Sequence, residues 1–214
     1  MPGPAKSLSK KSLGLPPIDK YLLSGWDEFL FQYGQQFLCS GRVLVLGGYY
    51  GRTTSEWLKR GAAQVTVFEP VPAFFEKIEE LSESDNRIHL VRSAAGNAEG
   101  KIAIHLDGDR SSHPKLVGAT QEWVTQKDLN SWIVEYGGTF NVTEINIEGA
   151  EYSLITGLKV ETLRRLGTIL LQTHEIGPET DHKLSALDEK LRESHVKAFS
   201  FRHVWSAWVP KNPM

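Results

Sequence analysis

Cysteine is almost missing from this chain: among 214 residues there is Cys39 and no other, so no internal disulfide can form. A disulfide-stapled secreted scaffold is excluded, and a reducing, cytoplasmic compartment is the expectation. Long apolar runs are also missing. The most hydrophobic stretch, Val43-Leu44-Val45-Leu46, runs straight into Gly47-Gly48, far short of the roughly 18 residues of a membrane span, so no membrane partner is expected. Charge of one sign is not in excess either. With 24 Lys+Arg against 26 Asp+Glu the net charge is −2, which gives no whole-chain attraction to nucleic acid. Trp26, Trp57, Trp123, Trp132, Trp205 and Trp208 are too scattered for a base-stacking platform and read as core or interface residues. Metal-ligand spacing is absent too: His174 adjoins Glu175, but His182 and His195 fall on a separate helical segment, so no metal is expected. Residues 1–20 carry lysines, prolines and glycines without the hydrophobic core of a signal peptide, which predicts a flexible arm ahead of one globular domain over 21–214.

What is present is an alternation of short apolar runs with helical periodicities. Trp26, Phe29, Leu30, Tyr33 and Phe37 recur at helical spacing and predict a helix from Ser24 to Leu38. Strands are expected at Arg42–Leu46, Gln64–Phe68, Arg87–Arg92, Lys101–Leu106, Phe140–Ile147 and Thr168–Thr173. Helices are expected at Thr53–Arg60, Pro72–Leu81, Lys127–Tyr136, across Ala150–Leu166, and at Asp181–His195, with a closing hairpin at Val196–Phe201 and Val204–Val209. Such alternation indicates an α/β fold with a doubly wound, mostly parallel sheet. Between Asp107 and Gln121 the pattern lapses, and that segment, with Arg110, Ser111, Ser112, His113 and Lys115, is the expected substrate-side flap.

In an open parallel sheet, ligands bind beyond the carboxyl ends of the strands where the chain order reverses. The first such end is Gly47-Gly48-Tyr49-Tyr50-Gly51, where glycine lets the backbone turn tightly against a ligand. The second strand ends in Phe68-Glu69-Pro70, about 20 residues on, and an acid there can accept hydrogen bonds from both hydroxyls of a ribose. A second acidic cluster, Glu144-Ile145-Asn146-Ile147-Glu148-Gly149-Ala150-Glu151, occupies the fourth core strand and the turn after it.

Together with Arg92-Ser93-Ala94-Ala95, Ser111-Ser112 and Leu170-Leu171-Gln172-Thr173-His174, these segments resemble the class I S-adenosylmethionine-dependent methyltransferases, specifically the FkbM type, over Arg42 to His174. The resemblance implies a Rossmann-like, seven-stranded sheet with a C-terminal antiparallel hairpin and S-adenosyl-L-methionine as cofactor. It implies O-methylation of a hydroxyl on a small-molecule acceptor. Gly47, Gly48 and Gly51 would then border the methionine and ribose, with Tyr49 covering the donor or shaping the acceptor pocket. Glu69, beside Pro70, would hold the ribose, Ser93 and Ala94 would lie near adenine, and Asn146 would offer its carbonyl oxygen to the donor's ammonium.

For the acceptor's proton a carboxylate or imidazole is needed. Glu148 is the first candidate, with Glu151 and His174 as helpers; Glu151 also reads as a helix-start or surface charge. The chain departs from the family's pattern at Val45, Asn146 and Gln172, where acids are usual, at Glu144, where lysine is frequent, and at Thr125-Gln126-Lys127. Those departures suit a rival reading, a non-catalytic relative that binds the donor or a partner. Self-association of the chain is compatible with either.

Overall fold

The structure, a computed structural model, describes residues 25–34, 36, 40–107, 110–112, 120–201 and 204–212. The expected N-terminal arm, the end of the first helix at Leu38, and His113 and Lys115 of the expected flap lie outside these residues.

The chain enters through α1 (Trp26–Phe29), which continues as a π-helical turn over Leu30–Gly34. Then come β1 (Arg42–Leu46), α2 (Arg52–Lys59), β2 (Gln64–Phe68), α3 (Pro72–Ser84) and β3 (Ile88–Val91). A small second sheet follows, of β4 (Ala94–Gly96), β5 (Gly100–Asp107), β6 (Arg110–Ser112) and β7 (Thr120–Asp128). The main sheet resumes with α4 (Leu129–Tyr136), β8 (Val142–Ile145), α5 (Glu151–Gly157), α6 (Val160–Arg165) and β9 (Thr168–Gln172). It closes with α7 (Thr180–Leu191) and the hairpin of β10 (His195–Phe201) and β11 (Trp205–Pro210).

The main sheet has seven strands in the order β3-β2-β1-β8-β9-β11-β10. Five are mutually parallel from β3 to β9, and β11 runs antiparallel to both β9 and β10. The expected α/β sheet with its terminal antiparallel hairpin is therefore the one observed.

Central strands are covered on both faces, so most of their residues are apolar, with Thr66, Thr143 and Glu144 as buried polar exceptions. On β1, Val43 and Val45 pack on one side with Phe29, Trp57, Val65, Val67 and Phe199. Leu44 and Leu46 pack on the other with Phe68, Leu129, Ile145, Leu154 and Trp208. This alternation follows from the two-residue period of a strand. Helix starts are set locally: Pro72 opens α3, and the Asp128 side chain caps α4 by accepting from Asn130 N.

Two expectations need correction. The segment after Asp107 is not wholly irregular, because Arg110–Ser112 pairs with β5 and Thr120–Asp128 forms a nine-residue strand. Along β7 the inward positions include Glu122 and Gln126, and Val124 supplies the buried apolar residue, so the alternation that marks a strand is too weak to read. Trp123 is not core; it is 66% exposed on the outward face of β7.

Candidate functional site

The chain order reverses between β1 and β8, which are neighbours in the sheet although β2 to β7 intervene in sequence. Beyond their carboxyl ends the backbone of the first turn is pinned to the next strand: Gly47 N and Gly48 N both donate to Phe68 O, at 3.0 and 3.2 Å. Gly47 sits at φ +91°, and a Cβ there would lie 2.0 Å from Asn146 O. No side chain fits against a backbone oxygen at that distance. Gly47→Ala is therefore expected to cost about 2–4 kcal/mol of stability from strain and displacement of the β8 end, checked by urea unfolding. A variant as stable as the parent would show that the turn is not held as described.

Glu69 is the second element. It is 4% exposed, and both its oxygens hold backbone: Oε2 accepts from Tyr49 N and Oε1 from Val71 N, each at 2.8 Å. Burial pushes its pKa up to about 7, although the hydrogen bonds from Val71 and Tyr49 oppose the rise. Each oxygen of a carboxylate has a further lone pair, so a pair of hydroxyls can still bond to it.

Two cavities meet at this rim, and Gly47, Glu69 and Asn146 line both. The first, of about 280 Å³, is walled by Phe68, Pro70, Ala94, Ala95, Ile102, Ile104 and Leu154, an apolar slot. The second, of about 520 Å³, is polar, with Trp26, Asp27, Thr53, Glu144 and Glu148 facing Gly48, Tyr49 and Tyr50. At its mouth Arg52 pairs with Asp27 at 2.6 Å. Tyr49 and Tyr50, 41% and 43% exposed, pack edge-on with each other and with Phe74.

Asn146 follows β8, and its Oδ1 is buried with no hydrogen-bond partner. A buried acceptor left alone is costly, which makes this oxygen suited to a donor brought by a ligand. Beneath it Glu144 is 1% exposed; its Oε2 accepts from Trp57 Nε1 at 2.8 Å, and burial pushes its pKa up to about 7.

The turn after β8 carries the third group. Glu148 adopts φ +54°, uncommon for a residue with a side chain. Glu151 is completely buried and so is no surface charge. Its oxygens accept from Ile147 N at 3.0 Å and Gly149 N at 2.9 Å, folding the turn around itself, and Oε1 also lies 3.0 Å from His174 Nδ1. His174 Nε2 lies 3.4 Å from Glu148 Oε2. Burial pulls the imidazole pKa down, but the hydrogen bond and charge of Glu151, with the charge of Glu148, outweigh it and the net shift is upward.

Of the residues singled out from sequence, Gly47, Glu69, Pro70, Ala94 and Asn146 line the apolar cavity, and Gly48, Tyr49 and Glu148 line the polar one. Gly51 and Ser93 line neither: Gly51 packs against Leu81 and Ile78, and Ser93 is buried with its hydroxyl donating to Ala94 O. Trp26 and Asp27 on α1, and Ile102 and Ile104 on the second sheet, are walls that no motif announces, while Gln126, in the segment that departs from the family's pattern, lines the slot as well. Among the described residues no group of three or more His, Cys, Asp or Glu is arranged to hold a metal, and no helix is long and apolar enough to cross a membrane.

No family model matches the chain, and no curated protein matches it. Solved structures do. A protein assigned as an rRNA methylase from Clostridium thermocellum superposes with a TM-score of 0.55 at 10% identity, over 88% of this chain and 94% of that one. Methyltransferase FkbM from Methylobacillus flagellatus KT gives 0.55 at 13% identity over 86% of this chain, which spans 47% of that longer one. A dimethyladenosine transferase from Plasmodium falciparum gives 0.52 at 16%, over 87% and 61%. At such identities the likeness is one of fold. The chain has the Rossmann-like architecture shared by these methyltransferases.

Proposed function

We propose that this chain is an S-adenosylmethionine-dependent methyltransferase of the FkbM type acting on a hydroxyl of a small molecule. One observation carries the reading: an apolar slot and a polar cavity join at Gly47, Glu69 and Asn146, where a buried carbonyl oxygen has no partner. S-adenosylmethionine has the matching sequence of groups, a flat base, a ribose diol and a zwitterionic amino acid. The slot takes the base between Phe68 and Ala94, Glu69 takes the diol, and Asn146 Oδ1 takes the ammonium. Glu144 and Glu148, on the wall of the same polar cavity, supply the negative charge absent at Val45 and Asn146. The donor brings a methyl group on a sulfonium, already furnished with its leaving group. The protein must align an acceptor oxygen and remove its proton. Glu148, which lines the polar cavity, is the group we assign to that removal.

Nucleic acid is the competing acceptor class. The carboxylates of Asp27, Glu144 and Glu148 on the polar cavity, against the single guanidinium of Arg52, disfavour a phosphate-rich acceptor there. A donor-binding relative without turnover is the second reading, favoured by the neutral residues at positions 45, 146 and 172.

Calorimetry with S-adenosylmethionine and S-adenosylhomocysteine tests the donor assignment. Micromolar binding is expected, with Asn146→Ala weakening it about tenfold through loss of one hydrogen bond to a charged group. No heat at millimolar ligand would reject the donor. Binding without methyl transfer across sugar and phenolic acceptors would leave the non-catalytic relative.

A further inference from the structure

We propose that His174 finally holds the proton taken from the acceptor hydroxyl, receiving it through Glu148, and that Glu151 is the positioning residue that presents the ring for this task. The proposal rests on the methyltransferase reading and extends it to residues that do not line the donor cavities.

The argument begins with Glu151. Its side chain is wholly buried, and its two oxygens accept the N–H groups of Ile147 and Gly149. With both oxygens already accepting backbone N–H groups, Glu151 faces the nitrogen 3.0 Å away as an acceptor, so His174 Nδ1 carries a hydrogen in both charge states of the ring. The titrating position is therefore Nε2.

Two groups meet Nε2. Gln172 Nε2 lies at 3.2 Å and Glu148 Oε2 at 3.4 Å. In the neutral ring the Nε2 lone pair accepts from the Gln172 amide. In the protonated ring Nε2–H donates to Glu148. Gln172 Oε1 is buried without a partner, and a turn of the amide would bring that oxygen to the protonated ring in place of the NH2 group. The surroundings are thus able to satisfy either state, which a merely structural histidine does not need.

The charged neighbours all favour proton gain. Glu148 and Glu151 approach from the turn after β8, and Gln172 from the end of β9. His174 also lines a recess of about 350 Å³ with Glu175 from its own segment and Asp181 from α7, and no lysine or arginine is among the lining residues. Tyr152 Oη donates to the backbone oxygen of His174 at 2.7 Å, which fixes the strand end.

The step balances without a co-reactant beyond donor and acceptor. The acceptor O–H bond breaks, its proton goes to a Glu148 oxygen, and its electron pair stays on the oxygen, which takes the methyl as the methyl–sulfonium bond breaks and its pair stays on sulfur, leaving the neutral thioether S-adenosylhomocysteine. The Glu148 proton then passes to His174 Nε2, restoring the carboxylate and leaving an imidazolium paired with Glu151. Transfer from a carboxylic acid to an imidazole is downhill on ordinary acidities, and the upward shift at His174 steepens it.

Two-bond 1H–15N correlation spectra of the full chain, recorded through a pH series, test the proposal on the resting protein. The neutral His174 ring is expected as the Nδ1–H tautomer, titrating above the ordinary histidine value. Glu148→Gln should lower that midpoint by about one pH unit without changing the tautomer. Glu151→Gln should lower it further and release the tautomer. If Glu151→Gln fails to fold, Glu148→Gln, on a half-buried turn with its side chain 40% exposed, decides alone. An Nε2–H tautomer, an ordinary or lowered midpoint, or a midpoint indifferent to Glu148→Gln would overturn the proposal. Binding of S-adenosylhomocysteine, measured by calorimetry on the same samples, separates the two claims. Binding with an ordinary His174 midpoint refutes the relay alone, and no binding with the expected spectra refutes the donor reading, and with it the relay's function.

Discussion

Glu69→Ala is expected to weaken S-adenosylmethionine binding between tenfold and a hundredfold at pH 8, where the carboxyl is ionised, and by less at pH 5, while its effect on stability also changes with pH. A hydrogen bond to a charged group contributes roughly 1.5–3 kcal/mol, which sets the affinity range. Stability follows a different account, because the same carboxylate holds Tyr49 N and Val71 N. Leaving buried donors unsatisfied costs about 1–3 kcal/mol each. Against this, the native carboxyl is pushed up to about 7, so at pH 8 the protein bears the cost of an ionised buried group, roughly 3 kcal/mol, that alanine removes. The variant should therefore be clearly destabilised at pH 5 and much less so at pH 8. Calorimetric affinity and urea unfolding at the two pH values check both halves. Unchanged donor affinity would remove Glu69 from the site, and equal destabilisation at both pH values would show that its carboxyl is not raised.

How far the sequence reveals this arrangement depends on where each residue's constraints lie. Arg42–Leu46 and Gln64–Phe68 are readable to the residue because strands covered on both faces are short aliphatic and β-branched runs, here bounded on one side by Arg42 or Gln64. The glycine turn and Glu69 are readable because the backbone conformation and the ligand chemistry are local to them. Of the second sheet only β5 is readable, from the run Lys101–Leu106. The inner face of β7 mixes Glu122 and Gln126 with Val124, so the partner strand that sets Ile102 and Ile104 against the apolar slot is not evident beforehand. Glu151 is misread for another reason. Its residue type suggests a surface charge, but the partners that bury it are N–H groups of the turn just before it and a histidine 23 positions away. The Trp57–Glu144 contact spans 87 positions and leaves no local trace.

Wild-type stability is expected to fall as pH rises from about 5 to 8, and Glu144→Gln is expected to remove a large part of that slope. Glu144 is 1% exposed, and burial pushes its pKa up to about 7, the hydrogen bond from Trp57 Nε1 opposing the shift. In the unfolded chain the same group has an ordinary carboxyl pKa of about 4.3. Between the two values the folded state binds more protons than the unfolded one, so stability is lost as pH rises through this window, by roughly 3 kcal/mol from Glu144. Glu69 adds a loss of the same sign, and so does His174, whose raised folded pKa lends stability that disappears as pH climbs through it. His195, buried and shifted downward, works the other way, gaining stability as pH rises through the ordinary histidine range. In Glu144→Gln the amide oxygen still accepts from Trp57, and no charge has to form in the interior. The variant should match the parent near pH 5 and exceed it by up to about 3 kcal/mol at pH 8, read by urea unfolding. A wild-type stability that rises over this range, or a variant with an undiminished slope, would contradict the buried-carboxyl account. A buried acid that lowers stability at neutral pH invites a functional reason, and the polar cavity beside it offers one. If Glu144 supplies charge to the donor's ammonium, the stabilised variant binds S-adenosylmethionine more weakly, so the same substitution should raise one quantity and lower the other.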